Sequence, residues 1–164
     1  MPSVHNVSMA YRDTASFGKR QEYTAIAELL KRQFDVYMTL VDDQGIDCVI
    51  RRESGGKLDY LDVQIKARSR ECVPWDAGRF AGMNILKPRK NLWFIFYSEQ
   101  LNKYWVINSI KLTHSGIASQ NKKGKNAGKW HIYLTLYSKK HKEVKANPRF
   151  SKYEDDAGFR QLVA

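Results

Sequence analysis

Apolar and polar positions alternate most regularly over LDYLDVQIKARSR, residues 58–70, where Leu61, Val63, Ile65 and Ala67 interleave with Asp62, Gln64, Lys66 and Arg68. A period of two marks a strand with one buried face. Its other face therefore carries a carboxylate, an amide, an ammonium and a guanidinium. Upstream, Tyr23, Ile26, Ala27, Leu30 and Phe34 recur at helical spacing and predict a helix from about Lys19 to Phe34. DVYMTL (35–40) predicts a short strand, 41–45 a turn, and 46–53 a strand that passes through Ser54-Gly55-Gly56-Lys57 into 58–68 as an antiparallel hairpin.

Beyond Arg70 the pattern is less regular. Residues 71–91 contain Pro74, Gly78, Gly82 and Pro88 and read as irregular chain. LWFIFYSE and KYWVINS predict two strands joined at Gln100–Asn102, and SIKLTHSG predicts a short helix ended by Gly116. Residues 119–129 read as a loose basic loop, 130–138 as one strand, 139 onward as a basic tail, and 1–16 as a loose N-terminal arm. No repeat or linker divides the chain. Its 164 residues suffice for one core. The expected fold is a single α/β (α+β) domain with an N-terminal helix packed on a central mixed β-sheet.

Composition narrows the partners. The chain is 43% hydrophobic and 12% aromatic, as globular domains are, with a net charge of +11. Such an excess points to an anionic partner, nucleic acid first and an acidic membrane surface second. The N-terminus shows no basic segment followed by an apolar one, and the longest apolar run, 92–97, is too short to cross a bilayer, so a soluble, cytoplasmic protein is expected. Cys48 and Cys72 provide neither a disulfide framework nor zinc spacing, and Cys48 reads as a small core residue. The four histidines are scattered, no serine sits in a G-x-S-x-G elbow, and GKRQEYT lacks the leading glycine of a phosphate loop.

One constellation carries chemistry. Gln64 and Lys66 are two apart and share a strand face, Asp47 opens the preceding strand, and Glu22 borders the apolar stripe of the first helix. Hard cations take oxygen ligands, and Mg²⁺ commonly uses one or two protein carboxylates and keeps several waters. Asp47 supplies the anionic ligand, the Gln64 side-chain oxygen and the Ile65 backbone carbonyl extend the shell, and Glu22 is a further ligand or holds a bound water. Lys66 beside them can orient the water and stabilise charge developing on a phosphate.

These residues, Glu22, then Gly45-Ile46-Asp47, then Val63-Gln64-Ile65-Lys66, resemble the PD-(D/E)xK nuclease superfamily, in its Gln-x-Lys variant found among restriction-endonuclease-like and Holliday-junction-resolvase-like proteins. The resemblance covers roughly residues 18–68. It implies a restriction-endonuclease-like core and metal-dependent hydrolysis of phosphodiester bonds in DNA, RNA not being excluded. Mg²⁺ or Mn²⁺ would be the cofactor. Asp47 and Gln64 match the metal-ligand positions, Lys66 the catalytic lysine, and Glu22 the first-helix acid. Two positions depart from the family's pattern: Gly-Ile stands where a proline precedes the aspartate, and Gln64 replaces an acid, removing one negative charge. A single site cuts one strand, so double-strand cleavage implies a homodimer. A non-catalytic nucleic-acid-binding protein, or an interaction subunit of a larger complex with the same fold, remains open.

Basic residues able to contact phosphates are Arg68 on the strand, Lys87, Arg89 and Lys90 in KPRK, and Lys122, Lys123 and Lys125 in KKGK. Trp75, beside Arg79, either anchors its loop or stacks on a base.

Overall fold

A computed structural model describes residues 6–41 and 44–163, with side chains from Ser16 onward. The first helix, α1 (Asn6–Lys31), begins well before Lys19. The expected loose arm is therefore helical from Asn6, and residues 1–5 lie outside the described ones. The helix stops at Lys31 because Gln33 adopts a left-handed φ of 65°. The Gln33 and Phe34 amides then turn back to the Leu30 and Leu29 carbonyls, and Phe34 packs on the cluster that holds Leu29.

The buried face of α1 differs from the expected stripe. Gln21, Ala25, Ile26 and Leu29 face inward, while Tyr23, Ala27 and Leu30 are exposed. Both sets repeat at helical spacing, so periodicity alone could not choose between them. The sheet chooses, because Ala25, Ile26 and Leu29 meet Leu61, Val63 and Ile65 there.

The strands follow: β1 (Asp35–Met38), β2 (Cys48–Ser54) and β3 (Lys57–Arg68), then β4 (Arg79–Met83), β5 (Leu92–Ser98) and β6 (Lys103–Asn108). After helix α2 (Ser109–His114) come β7 (Ser119–Gln120), β8 (Trp130–Tyr133), β9 (Thr135–Ser138), β10 (Glu143–Ala146) and helix α3 (Asp155–Arg160). The main sheet has the order β1-β2-β3-β5-β6, with β3 and β5 parallel and the other pairs antiparallel. The hairpin is as expected. Gly55 and Gly56, at φ of 58° and 75°, form its two-residue turn, which fixes Cys48 opposite Val63.

Two apolar clusters lie on the two faces of this sheet. On one, α1, Phe159 and Leu162 cover Leu61, Val63, Ile65, Trp93, Ile95 and Val106. On the other, Phe94, Phe96, Trp105 and Ile107 are covered by a second sheet of order β4-β8-β7 through Phe80, Met83 and Ile132. That cover rests on β5 and β6. The β3 residues facing the same way are Asp62, Gln64, Lys66 and Arg68, none of them fully buried.

Several downstream expectations change. The irregular 71–91 stretch contains β4, bulged between Phe80 and Met83. The single strand over 130–138 divides at Leu134 into β8 and β9, which belong to different sheets. Gly78 permits this crossing: a Cβ there would stand closer than 3 Å to the Thr135 side chain. The 121–129 loop is closed by its own hydrogen bonds, Asn121 N–H to the Lys129 carbonyl and Gly128 N–H to the Asn121 carbonyl. The segment from 139, expected as a basic tail, forms β10, a 3-10 turn (Pro148–Tyr153) and α3, burying Phe150, Tyr153, Phe159 and Leu162. Its basic residues hid an apolar set spaced too widely for a local signal. Among the described residues, no helix is long and apolar enough to cross a membrane.

Docking of this C-terminal segment is testable. A Cβ at Gly158 would stand 2.0 Å from the Tyr153 carbonyl oxygen. Gly158→Ala should therefore cost about 2 kcal/mol and lower the thermal midpoint by roughly 4–8 °C. Differential scanning calorimetry checks this; an unchanged midpoint would show that the segment is not packed as described.

Candidate active site

The site forms where β2 leaves β3. The Asp47 amide donates to the Val63 carbonyl at 2.9 Å, the last backbone bond on that side. The next donor on β3, the Ile65 amide, is taken by the Asp47 carboxylate, with Oδ2 at 2.6 Å. A strand residue's N–H and C=O point to the same side, so the Ile65 carbonyl also faces the gap that β2 opens. Thr39 Oγ1 donates to the Ile46 carbonyl at 2.9 Å and fastens the loop to the end of β1.

Gln64 and Lys66 project from β3 opposite Phe94 and Phe96 of β5, on the face away from α1. Gly45 sits over Gln64. Its φ is +67°, and a Cβ there would stand 2.6 Å from Gln64 Nε2, so only glycine lets the loop close on this side chain. Together with Lys66, Lys87, Arg89 and Asn84 they line a cleft of about 510 Å³. Among the described residues Lys66 makes no ion pair. Asp62, the neighbouring carboxylate on its strand, instead binds Arg89 at 2.7 Å. That pair is partly exposed and contributes about 0–1 kcal/mol, but it aims Arg89 along the cleft wall.

Glu22 approaches differently. It lies on α1 and binds Lys19 at 2.5 Å, with its side chain 22% exposed. The helix packs on the Leu61–Val63–Ile65 face, so Glu22 lies on the opposite side of the sheet from Gln64 and Lys66. Its charge and that of Asp47 are nevertheless felt together. The Lys19 ammonium is held above its usual range by the hydrogen bond and charge of Glu22, with a smaller contribution from Asp47. Burial, then Asp47, then Glu22, push the Cys48 thiol up to about 12. Asp47 thus meets β3 at the Ile65 amide, Gln64 and Lys66 line the cleft, and Glu22 belongs to the helix side of the sheet.

Of the expected phosphate contacts, Lys87 and Arg89 line the cleft and Lys90 is exposed beside it. Their loop is pinned from afar: Asn108 Nδ2 donates to the Lys90 carbonyl at 2.8 Å, and the Arg89 amide donates to Ser109 Oγ at 2.9 Å. Arg68 donates from Nε to the Arg79 carbonyl at 2.5 Å and lies over the Phe80 ring, so it ties β3 to β4. Lys122, Lys123 and Lys125 stand exposed on the β7–β8 loop. Trp75 is 55% exposed and meets Tyr137 edge-on at 5.8 Å. Asn84, Asn108 and Ser109 escaped the sequence reading, which noted Gly45 only as part of a departure from the family's pattern. Gly45 had a signal, a glycine two residues before the strand acid, whereas the others depend on pairings some twenty residues apart.

The donor set suits a hard cation. Among the described residues no three His, Cys, Asp or Glu side chains converge on one point. The residues that could hold such an ion are Asp47, already engaged by the Ile65 amide, the Ile65 carbonyl and the Gln64 side chain.

No family model and no curated protein sequence matches the chain significantly. Among solved structures, the bacterial homing endonuclease I-Ssp6803I aligns with a TM-score of 0.53 and 19% identity, over 89% of this chain and 88% of that one. A nuclease from a fusselovirus aligns with a TM-score of 0.38 and 14% identity, over 81% and 84%. The first shares the mixed α+β fold described above, an N-terminal helix on a central mixed sheet.

The thiols give a check on the site's packing. With Cys48 raised from 9.0 to about 12, the folded protein keeps a neutral thiol where the unfolded chain ionises. Cys48 should therefore contribute stability below pH 9 that is lost as pH rises from 9 to 12. At pH 8.5 Ellman's reagent should modify Cys72, which is partly exposed, and reach Cys48 only after guanidinium unfolding. Equal rates in the native protein would contradict this burial.

Proposed function

We propose that this protein is a metal-dependent endonuclease that hydrolyses phosphodiester bonds in DNA, of restriction or resolvase type. The observation that carries the reading is the Asp47 carboxylate on the Ile65 amide where β2 leaves β3, with Gln64 and Lys66, the residues flanking Ile65, lining a cleft walled by Lys87 and Arg89. Fold likeness to a homing endonuclease supports it.

In this reading Asp47, the Gln64 side-chain oxygen and the Ile65 carbonyl would hold Mg²⁺ or Mn²⁺, and Glu22 would support the shell from the helix side. The ion, when bound, polarises a phosphate oxygen and lowers the pKa of water. The chain's own groups supply the remainder. The Ile65 amide fixes the Asp47 carboxylate in one orientation. Lys66, unpaired among the described residues, is available to orient the attacking water and to meet negative charge growing on the phosphorus oxygens. Arg89, held by Asp62, and Lys87 position the phosphodiester against the face. Gly45, without a Cβ, leaves room for the Gln64 amide beside the loop.

The test is cleavage of plasmid, linear and branched DNA with Mg²⁺ or Mn²⁺. Asp47→Ala and Lys66→Ala should each lower the cleavage rate about 10²–10⁴-fold while still binding DNA in a gel-shift assay. A wild type that cuts no substrate, with both variants binding DNA equally well, would leave a non-catalytic nucleic-acid-binding protein instead. Absence of both cutting and binding would favour an interaction subunit.

A further inference from the structure

Positive charge is unevenly distributed along the chain. Residues 77–142 hold thirteen of the 28 lysines and arginines and one, Glu99, of the 17 aspartates and glutamates, which is net +12 against net −1 elsewhere. Eight of the thirteen lie on the three-stranded sheet β4-β8-β7 or the loops that adjoin it, and the other five on β6, α2 and the β9–β10 turn. The inner face of that sheet, Phe80, Met83 and Ile132, is buried in the second core. Its outer face pairs Arg79 with Tyr133 and Ser119 with His131. Tyr133 is 49% exposed and Ser119 is exposed beside it, while His131 is half-buried against the Tyr133 ring.

Two features tie this surface to the cleft. Arg68 binds the Arg79 carbonyl and Gly82 lines the cleft, so β4 is the rim strand from which the outer face continues. The register also sets Met83, Trp130 and Gln120 side by side. The β7–β8 loop therefore leaves the small sheet at the same end as the cleft-lining segment after Met83. That loop carries Lys122, Lys123 and Lys125, all exposed and without an ion pair among the described residues. Its own hydrogen bonds preform it, so little ordering entropy is lost on binding.

We propose that the outer face of the β4-β8-β7 sheet and the 121–129 loop hold duplex DNA beside the cleft. The choice of DNA rests on the endonuclease reading, and the choice of a duplex rests on chemistry. Single strands are gripped by several exposed aromatic rings on which bases stack, and this face exposes Tyr133 alone on its paired positions. Two basic projections, the 121–129 loop and Lys87–Lys90, flank it at one end, which suits phosphates on both sides of a groove.

The experiment measures equilibrium binding of a 30-base-pair DNA duplex by the full chain in EDTA, from 50 to 300 mM KCl. Because no metal is present, cutting plays no part. Each lysine–phosphate contact contributes about 0.9 to the slope of log K against log salt. The Lys122→Gln/Lys123→Gln/Lys125→Gln variant should flatten the slope by about 2–3 and weaken binding at least tenfold at 150 mM. Arg79→Gln should flatten it by about 1. Removing as much charge on the β9–β10 turn, outside that sheet, at Lys139, Lys140 and Lys142, should leave it nearly unchanged. The proposal is overturned if the loop variant keeps the wild-type slope, if the distant triple flattens it equally, or if a single strand of the same sequence binds more tightly. A flattened slope in a protein that never cuts DNA would sink the endonuclease reading and leave this one standing.

Discussion

The hydrogen bond from the Ile65 amide to the Asp47 carboxylate decides what this sheet can do. Up to Asp47 the β2–β3 pair is an ordinary antiparallel ladder, with Cys48 opposite Val63. At the next donor a side chain replaces the backbone. An amide left without a partner in a partly buried place costs about 1–3 kcal/mol, so the carboxylate makes it possible for β2 to end there. The loop is then free to turn, Gly45 closes on Gln64, and a carbonyl that a continued strand would have occupied faces the gap. A structural bond and a candidate metal ligand are the same side chain. Its effect on cleavage must therefore be read beside its effect on folding.

The second constraint is incomplete cover. A five-stranded sheet with apolar residues on both faces needs two layers. Here α1 covers one face along β3 and β5, while the small β4-β8-β7 sheet covers the other over β5 and β6. The pleat of β3 answers to this difference. Leu61, Val63 and Ile65 lie under the helix, and Asp62, Gln64 and Lys66 lie where no layer reaches. A slip of one residue would bury Lys66 under α1 and expose Ile65, so the same packing that fixes register also aims the polar set.

Legibility in the sequence follows the range of the interaction. The hairpin, its two glycines and the two-faced strand were readable because period and turn chemistry are local. So was the short α2 helix, where the Asn108 side chain accepts from the Ile110 amide and caps its start. The inward face of α1 was not, since Tyr23, Ala27 and Leu30 make as good a stripe as Ala25, Ile26 and Leu29 until the sheet is present. Nor was the C-terminal segment, whose Phe150, Tyr153 and Phe159 sit among lysines and reach the core only through partners such as Trp105, bridged to Glu154. At the candidate site, Gln64 and Lys66 follow from one strand's alternation. The pairing of Arg89 with Asp62, and the pinning of its loop by Asn108 and Ser109, depend on chain closure that no window of sequence contains.

The charges around the cleft set an order of events on the endonuclease reading. Lys19 stands against Glu22, and Asp62 against Arg89, so each of those charges is largely answered within the chain. Lys66 and Lys87 remain on the wall with the neutral amide of Gln64, and the Asp47 carboxylate is held at the Ile65 amide behind them. An acid at 64 would have drawn a cation directly; an amide leaves the wall positive. Such a wall attracts a polyanion more readily than a divalent cation. A bound phosphodiester then supplies the negative oxygens that the protein shell lacks, in the way Mg²⁺ sites often rely on substrate phosphates alongside one or two carboxylates. On that reading Gln64 would make a divalent ion depend on the substrate phosphate for part of its shell, and the hydrolytic groups would be complete only with nucleic acid in place.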